Sequence, residues 1–224
     1  MHKKSALLLG ASGLVGEQLL QLFLNHDKYD RVVILVRRAI EYSHPKLEEV
    51  VVDFDRLADY KPLFAVDDIF CCLGTTIKVA GSREAMYQID VGYPLQAARL
   101  AYEMGASQYL IVSSIGANAN SRTWYLRMKG ELEEALKQVG FSALHIFQPS
   151  LLLGDRKEHR PGESFATKLY TLFSFLLIGR LSKYKGIEAK TVAKAMYDRA
   201  QQSSSGEYTY QSDQIQQITD TSLI

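Results

Sequence analysis

"ALLLGASGLVGEQLLQLFL", residues 6–24, runs an apolar stretch straight into a helical pattern and sets Gly10, Gly13 and Gly16 at equal spacing between the two. The apolar stretch reads as a strand buried on both faces, and Leu14 to Leu24 places apolar residues at helical intervals. Where a strand hands over to a helix, the first helical amides lack internal partners and the positive end of the dipole faces outward. A pyrophosphate binds there if no side chain intervenes. In that reading Gly10 makes the tight turn, Gly13 admits phosphate to the backbone, Gly16 lets the helix close on the strand, and Ser12 adds a hydroxyl donor. A turn that serves packing alone is the competing reading.

Outward from this unit, short apolar runs alternate with helical patterns. Strands are expected at 31–36, 47–53, 68–74, 108–114 and 143–150, and helices at 84–104 and 125–139. That alternation predicts an α/β fold, a doubly wound parallel sheet of the Rossmann type. The 224 residues suit one domain over 1–224. From 154 to 186 the alternation breaks down, and a segment there is expected to act as a substrate lid, with a surface excursion as the alternative. "QQSSSG" (201–206) reads as a loop before a last strand, "EYTYQ".

Composition narrows the partner. With 26 Lys+Arg against 25 Asp+Glu, nothing advertises a nucleic-acid or acidic-membrane surface, so a small molecule is expected. The two cysteines, Cys71 and Cys72, are adjacent within an apolar run, which is neither a disulfide framework nor a zinc spacing, and a reducing, cytosolic (cytoplasmic) compartment is expected. "MHKKSALLLGASG" imitates a signal peptide, but its apolar part is short and continues into a helix carrying Glu17. "LYTLFSFLLIG", 169–179, falls short of the ~20 residues a membrane span needs, so no integral membrane segment is expected. A buried or lid helix is the preferred reading of that stretch, and a homodimer contact a further use for it.

Cofactor identity is read at the end of the second strand. A carboxylate there would bind the adenosine ribose of NAD; the sequence offers "ILVRR", with Arg37 and Arg38. Two guanidiniums suit a 2′-phosphate, so NADP(H) is expected over NAD(H). In "VVDFD", Asp53 is placed to accept from the adenine amino group and Phe54 to lie against the ring, with a helix cap as the rival role for the aspartate. "CLGTT" brings Gly74, with Thr75 beside it, to the edge where a dinucleotide passes, although the threonines also suit a cap.

The chemical signal is "YLRMK". On a helix Tyr125 and Lys129 share a face, so the ammonium favours the phenolate and the tyrosine serves as general acid in carbonyl reduction or as base in the reverse. A second Y-x-x-x-K, "YSHPK" at Tyr42–Lys46, contains a proline and precedes the third strand, which disqualifies it. The strand before Tyr125 ends in "VSS". Ser113 or Ser114 therefore lies beside the phenol, and Ser114 is chosen to orient the substrate, with a turn cap as its alternative. Trp124 either walls the pocket or packs. The five histidines show no paired ligand spacing and no G-x-S-x-G occurs, so no metal site and no serine hydrolase is expected.

With these residues assembled, the chain resembles the atypical branch of the short-chain dehydrogenase/reductase superfamily, and more closely the Tat-interacting (CC3) oxidoreductase family with its bacterial relatives. The stretches that carry the resemblance are "LGASGLVGE", "LVRR", "VVDF", "CCLGTT", "SSIGA", "YLRMKGELE" and "LLLGDRKEHRPGE". The resemblance implies NADP contacts from Ser12, Gly13, Leu14, Val15, Arg37, Arg38, Leu73, Gly74, Tyr125 and Lys129, and adds Leu152 and Arg160. Where the wider superfamily often has an asparagine in the helix after the fourth strand, this chain offers Asp90. Three functions compete: an NADP-dependent oxidoreductase using Ser114, Tyr125 and Lys129, an NADPH-binding regulator with a protein partner and little turnover, and a nucleotide-sugar epimerase.

Overall fold

The computed structural model describes residues 3–154 and 185–221. Its centre is a seven-stranded sheet, built from β1 (Lys4–Leu9), β2 (Tyr29–Val36), β3 (Leu47–Val51), β4 (Asp68–Cys71), β5 (Gln108–Val112), β6 (Ala143–Gln148) and β9 (Gly206–Gln211). The order across the sheet is β3-β2-β1-β4-β5-β6-β9, and every neighbouring pair is parallel. A separate parallel pair joins β7 (Leu152–Leu153) to β8 (Ile187–Glu188).

Side-chain alternation along the strands feeds two cores. Ala6, Leu8, Ile34 and Leu110 point to the face covered by α1 (Leu14–Asn25), while Leu7, Leu9, Val33 and Ile111 point to the opposite face. That opposite face is covered by α4 (Tyr93–Glu103) and α5 (Trp124–Lys137). On the first face α6 (Ala189–Ala200) packs beside α1, and α7 (Ser212–Thr221) beside α6. Burial of Leu19, Leu20 and Phe23 on α1 is worth about 2 kcal/mol for each side chain, which fixes that helix on the sheet.

The helix expected over 84–104 is interrupted. Short helices α2 (Ile77–Ala80) and α3 (Arg83–Tyr87) are followed by a π turn, Gln88–Gly92, before α4 begins. Pro94 sits in the first turn of α4 and has no N–H to return to the carbonyl four residues earlier, so the chain widens there and carries Asp90 inward, where it is buried. Two carboxy-terminal helices, α6 and α7, flank the last strand, β9, and no helix is expected there from the sequence. The lid expected at 154–186 falls almost wholly on 155–184, outside the described residues, as do the 169–179 stretch and Arg160.

The register brings the carboxyl ends of the central strands to one edge. Leu9 lies between Leu35 and Cys71, and Cys71 pairs with Ile111. Ligands of open parallel sheets bind beyond such an edge, where the strand order reverses between β1 and β4.

Candidate functional site

A cavity of about 570 Å³ opens at that edge, and a second of about 180 Å³ adjoins it. Ser12, Gly13, Arg37, Cys72, Leu73, Gly74 and Thr75 line both, so the two form one cleft across the switch point. The size is that of an ordinary small-molecule site.

The glycine turn is built for close approach. Gly10 has φ +82°, and a Cβ there would stand 2.6 Å from the Cys72 carbonyl oxygen, so the turn presses directly on the end of β4. A Cβ on Gly16 would meet the Gly10 carbonyl oxygen at 2.0 Å, which makes Gly16 the point where α1 touches the turn. Gly16 lines neither cavity; Gly10 lines the smaller one, and Leu14 and Val15 the larger. Gly13 caps α1 without a side-chain cap hydrogen bond, so among the described residues that cap leaves the helix's first amides open to an anion. This bare cradle fits a dinucleotide pyrophosphate.

Other expected contacts divide. Arg37 lines both cavities and Arg38 neither. Phe54 lines the smaller cavity with Tyr93, whose ring lies 5.4 Å away and tilted by 46°, and with Val79 and Ile89, giving an apolar patch. The Tyr93 hydroxyl donates to Asp55 at 2.6 Å; burial and that carboxylate push it up to about 12. Asp53 does not reach the patch. Its carboxylate accepts from the Asp55 amide at 3.0 Å as a cap, the rival role. Leu152 lines the larger cavity from β7.

Tyr125 and Lys129 line the larger cavity from α5, on one face of the helix. Lys129 is buried and pairs with Asp90 at 2.9 Å, while the other Asp90 oxygen accepts from the Thr75 amide at 2.8 Å. Burial pushes the Lys129 ammonium down, but Asp90 and Tyr125 outweigh it and hold the group above its ordinary value. Asp90 thus ties the chain after β4 to the lysine.

The serine on the cavity wall is Ser113, whereas Ser114, the residue chosen from the sequence, is not among the lining residues. Ser113 shares the strand face of Tyr109 and Ile111, which packs toward α5, and period-two counting would have found it. Its hydroxyl donates to Glu133, a buried carboxylate one turn beyond Lys129 that also receives Gln148 Nε2 at 3.0 and 2.9 Å. Sequence reading missed Glu133, although Tyr125, Lys129 and Glu133 stand at successive intervals of four. It also missed Gly130, where a Cβ would lie 2.1 Å from the Ala119 amide nitrogen, so α5 lies directly on the loop after β5. Trp124 stacks under Arg83 at 5.4 Å and packs on the core rather than the cavity.

The remaining chemistry is quiet. Burial pushes Cys71 up to about 11 and Cys72, which lines both cavities, well above the ordinary thiol range, which favours the thiol over the thiolate in both. Among the described residues there is no cluster of metal-ligating side chains, and no helix is long and apolar enough to cross a membrane.

Comparison with known proteins agrees with this geometry. The model of the NAD dependent epimerase/dehydratase family matches residues 6–126. Protein HTATIP2 of Rattus norvegicus is 36% identical over 211 residues, 92% of this chain and 85% of that protein. Protein FMP52, mitochondrial, of Candida glabrata is 38% identical over 162 residues, covering 72% and 70%. Among solved structures, a UDP-N-acetylglucosamine 4-epimerase from Methanobrevibacter ruminantium superposes with a TM-score of 0.70 at 16% identity, over 94% of this chain and 77% of that one. This last likeness shows the fold.

The relatives correct one expectation. The FMP52 proteins are mitochondrial by name, which points away from a purely cytoplasmic compartment. Both cysteines are free thiols, Cys71 buried and Cys72 half-buried.

Proposed function

Because this chain belongs to the NAD dependent epimerase/dehydratase family, we propose that it is an NADP-dependent oxidoreductase acting on a small carbonyl or alcohol. The observation that carries this reading is the shared wall: Tyr125, Lys129 and Ser113 line the same cavity as the bare N-terminus of α1. The bound dinucleotide supplies or accepts the hydride. The protein provides binding, orientation and the proton.

In the direction of reduction the Tyr125 hydroxyl donates its proton to the substrate oxygen, and in oxidation it takes one back. Lys129, held by Asp90, is the cationic group we assign to the ribose hydroxyls and to the Tyr125 phenol, with which it interacts electrostatically. Arg37, on the wall of both cavities, is the side chain we assign to the 2′-phosphate, since its fork matches phosphate geometry and its charge is permanent. Phe54 and Tyr93 offer an apolar patch for the adenine.

Tyr125→Phe tests the assignment. Turnover of NADPH against a panel of small carbonyls should fall by about a hundredfold or more, the scale of losing a general acid, while NADPH affinity changes little. Retained turnover would remove Tyr125 from the chemistry. Turnover on nucleotide-sugars alone would make the chain an epimerase, and NADPH binding without turnover on either panel would favour a regulator.

A further inference from the structure

Glu133 is a buried carboxylate that the proposed chemistry does not use. It lies on α5 one turn past Lys129, in line with Tyr125, and touches the cavity through one intermediary, the Ser113 hydroxyl. Gln148 Nε2 reaches both of its oxygens from β6, at 3.0 and 2.9 Å. Lys129 and Lys137 face it from its own helix, Lys137 being paired with Glu134 at 2.7 Å. Ser113, Glu133 and Gln148 are each at least 93% buried, with relative exposures of 7%, 7% and 6%.

A serine hydroxyl has one proton and two lone pairs. When Glu133 is ionised, that proton is committed to the carboxylate, so Ser113 offers only lone pairs to the cavity and receives a substrate hydroxyl. When Glu133 is protonated, its own O–H can donate to Ser113 Oγ, Gln148 donates to the other carboxyl oxygen, and the serine proton is released toward the cavity. Only this second arrangement lets Ser113 add a hydrogen bond, beside that of Tyr125, to a carbonyl oxygen as negative charge grows on it.

We propose that Glu133 is a positioning residue whose protonation sets the direction of the Ser113 hydrogen bond, so that the neutral carboxyl readies the site for a carbonyl substrate and the carboxylate for an alcohol. The role rests on the oxidoreductase reading for its consequence in turnover, but the switch itself is a property of the three side chains. Burial pushes the Glu133 carboxyl up; the hydrogen bonds from Ser113 and Gln148 and the charges of Lys137 and Lys129 oppose that push without cancelling it. The neutral form therefore persists above the ordinary glutamate value of about 4.3. Reduction should fail as pH rises through the titration of Glu133, and oxidation should gain.

The test pairs two readouts on the whole chain. Infrared difference spectra across pH follow the carbonyl stretch of a neutral carboxyl that Glu133→Gln removes, and NADPH-dependent reduction of phenanthrenequinone is followed across the same range. The amide of E133Q donates permanently to Ser113 and accepts from Gln148, imitating the neutral carboxyl. In the wild type, reduction should drop about a hundredfold as the band disappears, the scale of losing one donor to a developing oxyanion, and E133Q should stay level. Where E133Q does not fold, Ser113→Ala should keep the band while its low turnover no longer follows it. Absence of the band above the ordinary glutamate range, or an E133Q profile that tracks the wild type, overturns the proposal. If the wild type binds NADPH yet reduces nothing, the band still decides the switch and the oxidoreductase reading falls by itself.

Discussion

Gly16→Ala adds one methyl group where α1 meets the glycine turn, and the structure says how much room it has. The new carbon would lie 2.0 Å from the Gly10 carbonyl oxygen, 2.8 Å from its carbonyl carbon and 3.1 Å from Ala11 Cα. All three are backbone atoms, and the turn cannot retreat because Gly10 already abuts the Cys72 and Leu73 backbone. The helix must therefore move away by about 1 Å or more, against the burial of Val15, Leu19, Leu20 and Phe23. Alanine gains about 1 kcal/mol over glycine as a helix former, whereas overpacking a rigid contact costs about 1–3 kcal/mol and more when backbone must shift. The net expectation is a loss of about 2 kcal/mol, or about 4–8 °C in Tm for a chain of this size. Because the displaced amides are those at the cavity, NADPH affinity should fall by at least about tenfold, a further 1.4 kcal/mol. Thermal unfolding followed by circular dichroism, with NADPH titration of the folded variant, makes the measurement; exposed Gln18→Ala on the same helix is the control and should change neither. A Gly16→Ala protein that melts and binds like the wild type would refute the close-contact argument.

Two further outcomes follow from the packing and the charges. Gly130→Ala should lower turnover more than NADPH affinity, since its Cβ would meet the Asn118 and Ala119 backbone at 2.2 and 2.1 Å and displace the loop that follows Ser113; equal loss in both, measured by steady-state kinetics and binding, would refute this. His145 is buried between Tyr210 and Ser204, each 3.1 Å from a ring nitrogen, and burial with the nearby Arg199 charge lowers it from 6.5 to about 4. The unfolded chain binds that proton first as pH falls, so stability present above 6.5 is lost on the way down to about 4, by about 3 kcal/mol. Urea unfolding of wild type and His145→Gln at about pH 7 and about pH 4.5 checks the sign, and an equal drop in both proteins would contradict it.

What was legible in the sequence was whatever repeats at a fixed period or stands within one turn of chain. The glycine turn, the buried strands and the Tyr125–Lys129 face are local patterns, and the parallel sheet follows from their alternation. The Rossmann reading also agrees with the family match. What escaped was long-range pairing. Asp90 lies 39 positions before Lys129, and only the π turn ahead of Pro94 brings it inward to meet the ammonium. The choice between Ser113 and Ser114 turned on which strand face looks toward α5, and between Arg37 and Arg38 on which side chain meets the cleft. Asp53 had two compatible roles, and the backbone amide two residues on engages it as a cap.

The account depends most on the dinucleotide cleft, and the measurement that tests it most directly is a titration with NADPH and with NADH, read by energy transfer from protein to nicotinamide, for wild type, Arg37→Ala and Arg38→Ala. A charged hydrogen bond to the 2′-phosphate is worth about 1.5–3 kcal/mol, so NADPH should bind about tenfold to a hundredfold more tightly than NADH. Arg37→Ala should erase most of that preference and Arg38→Ala should leave most of it. Failure of either cofactor to bind, or a preference that survives Arg37→Ala, would contradict the account.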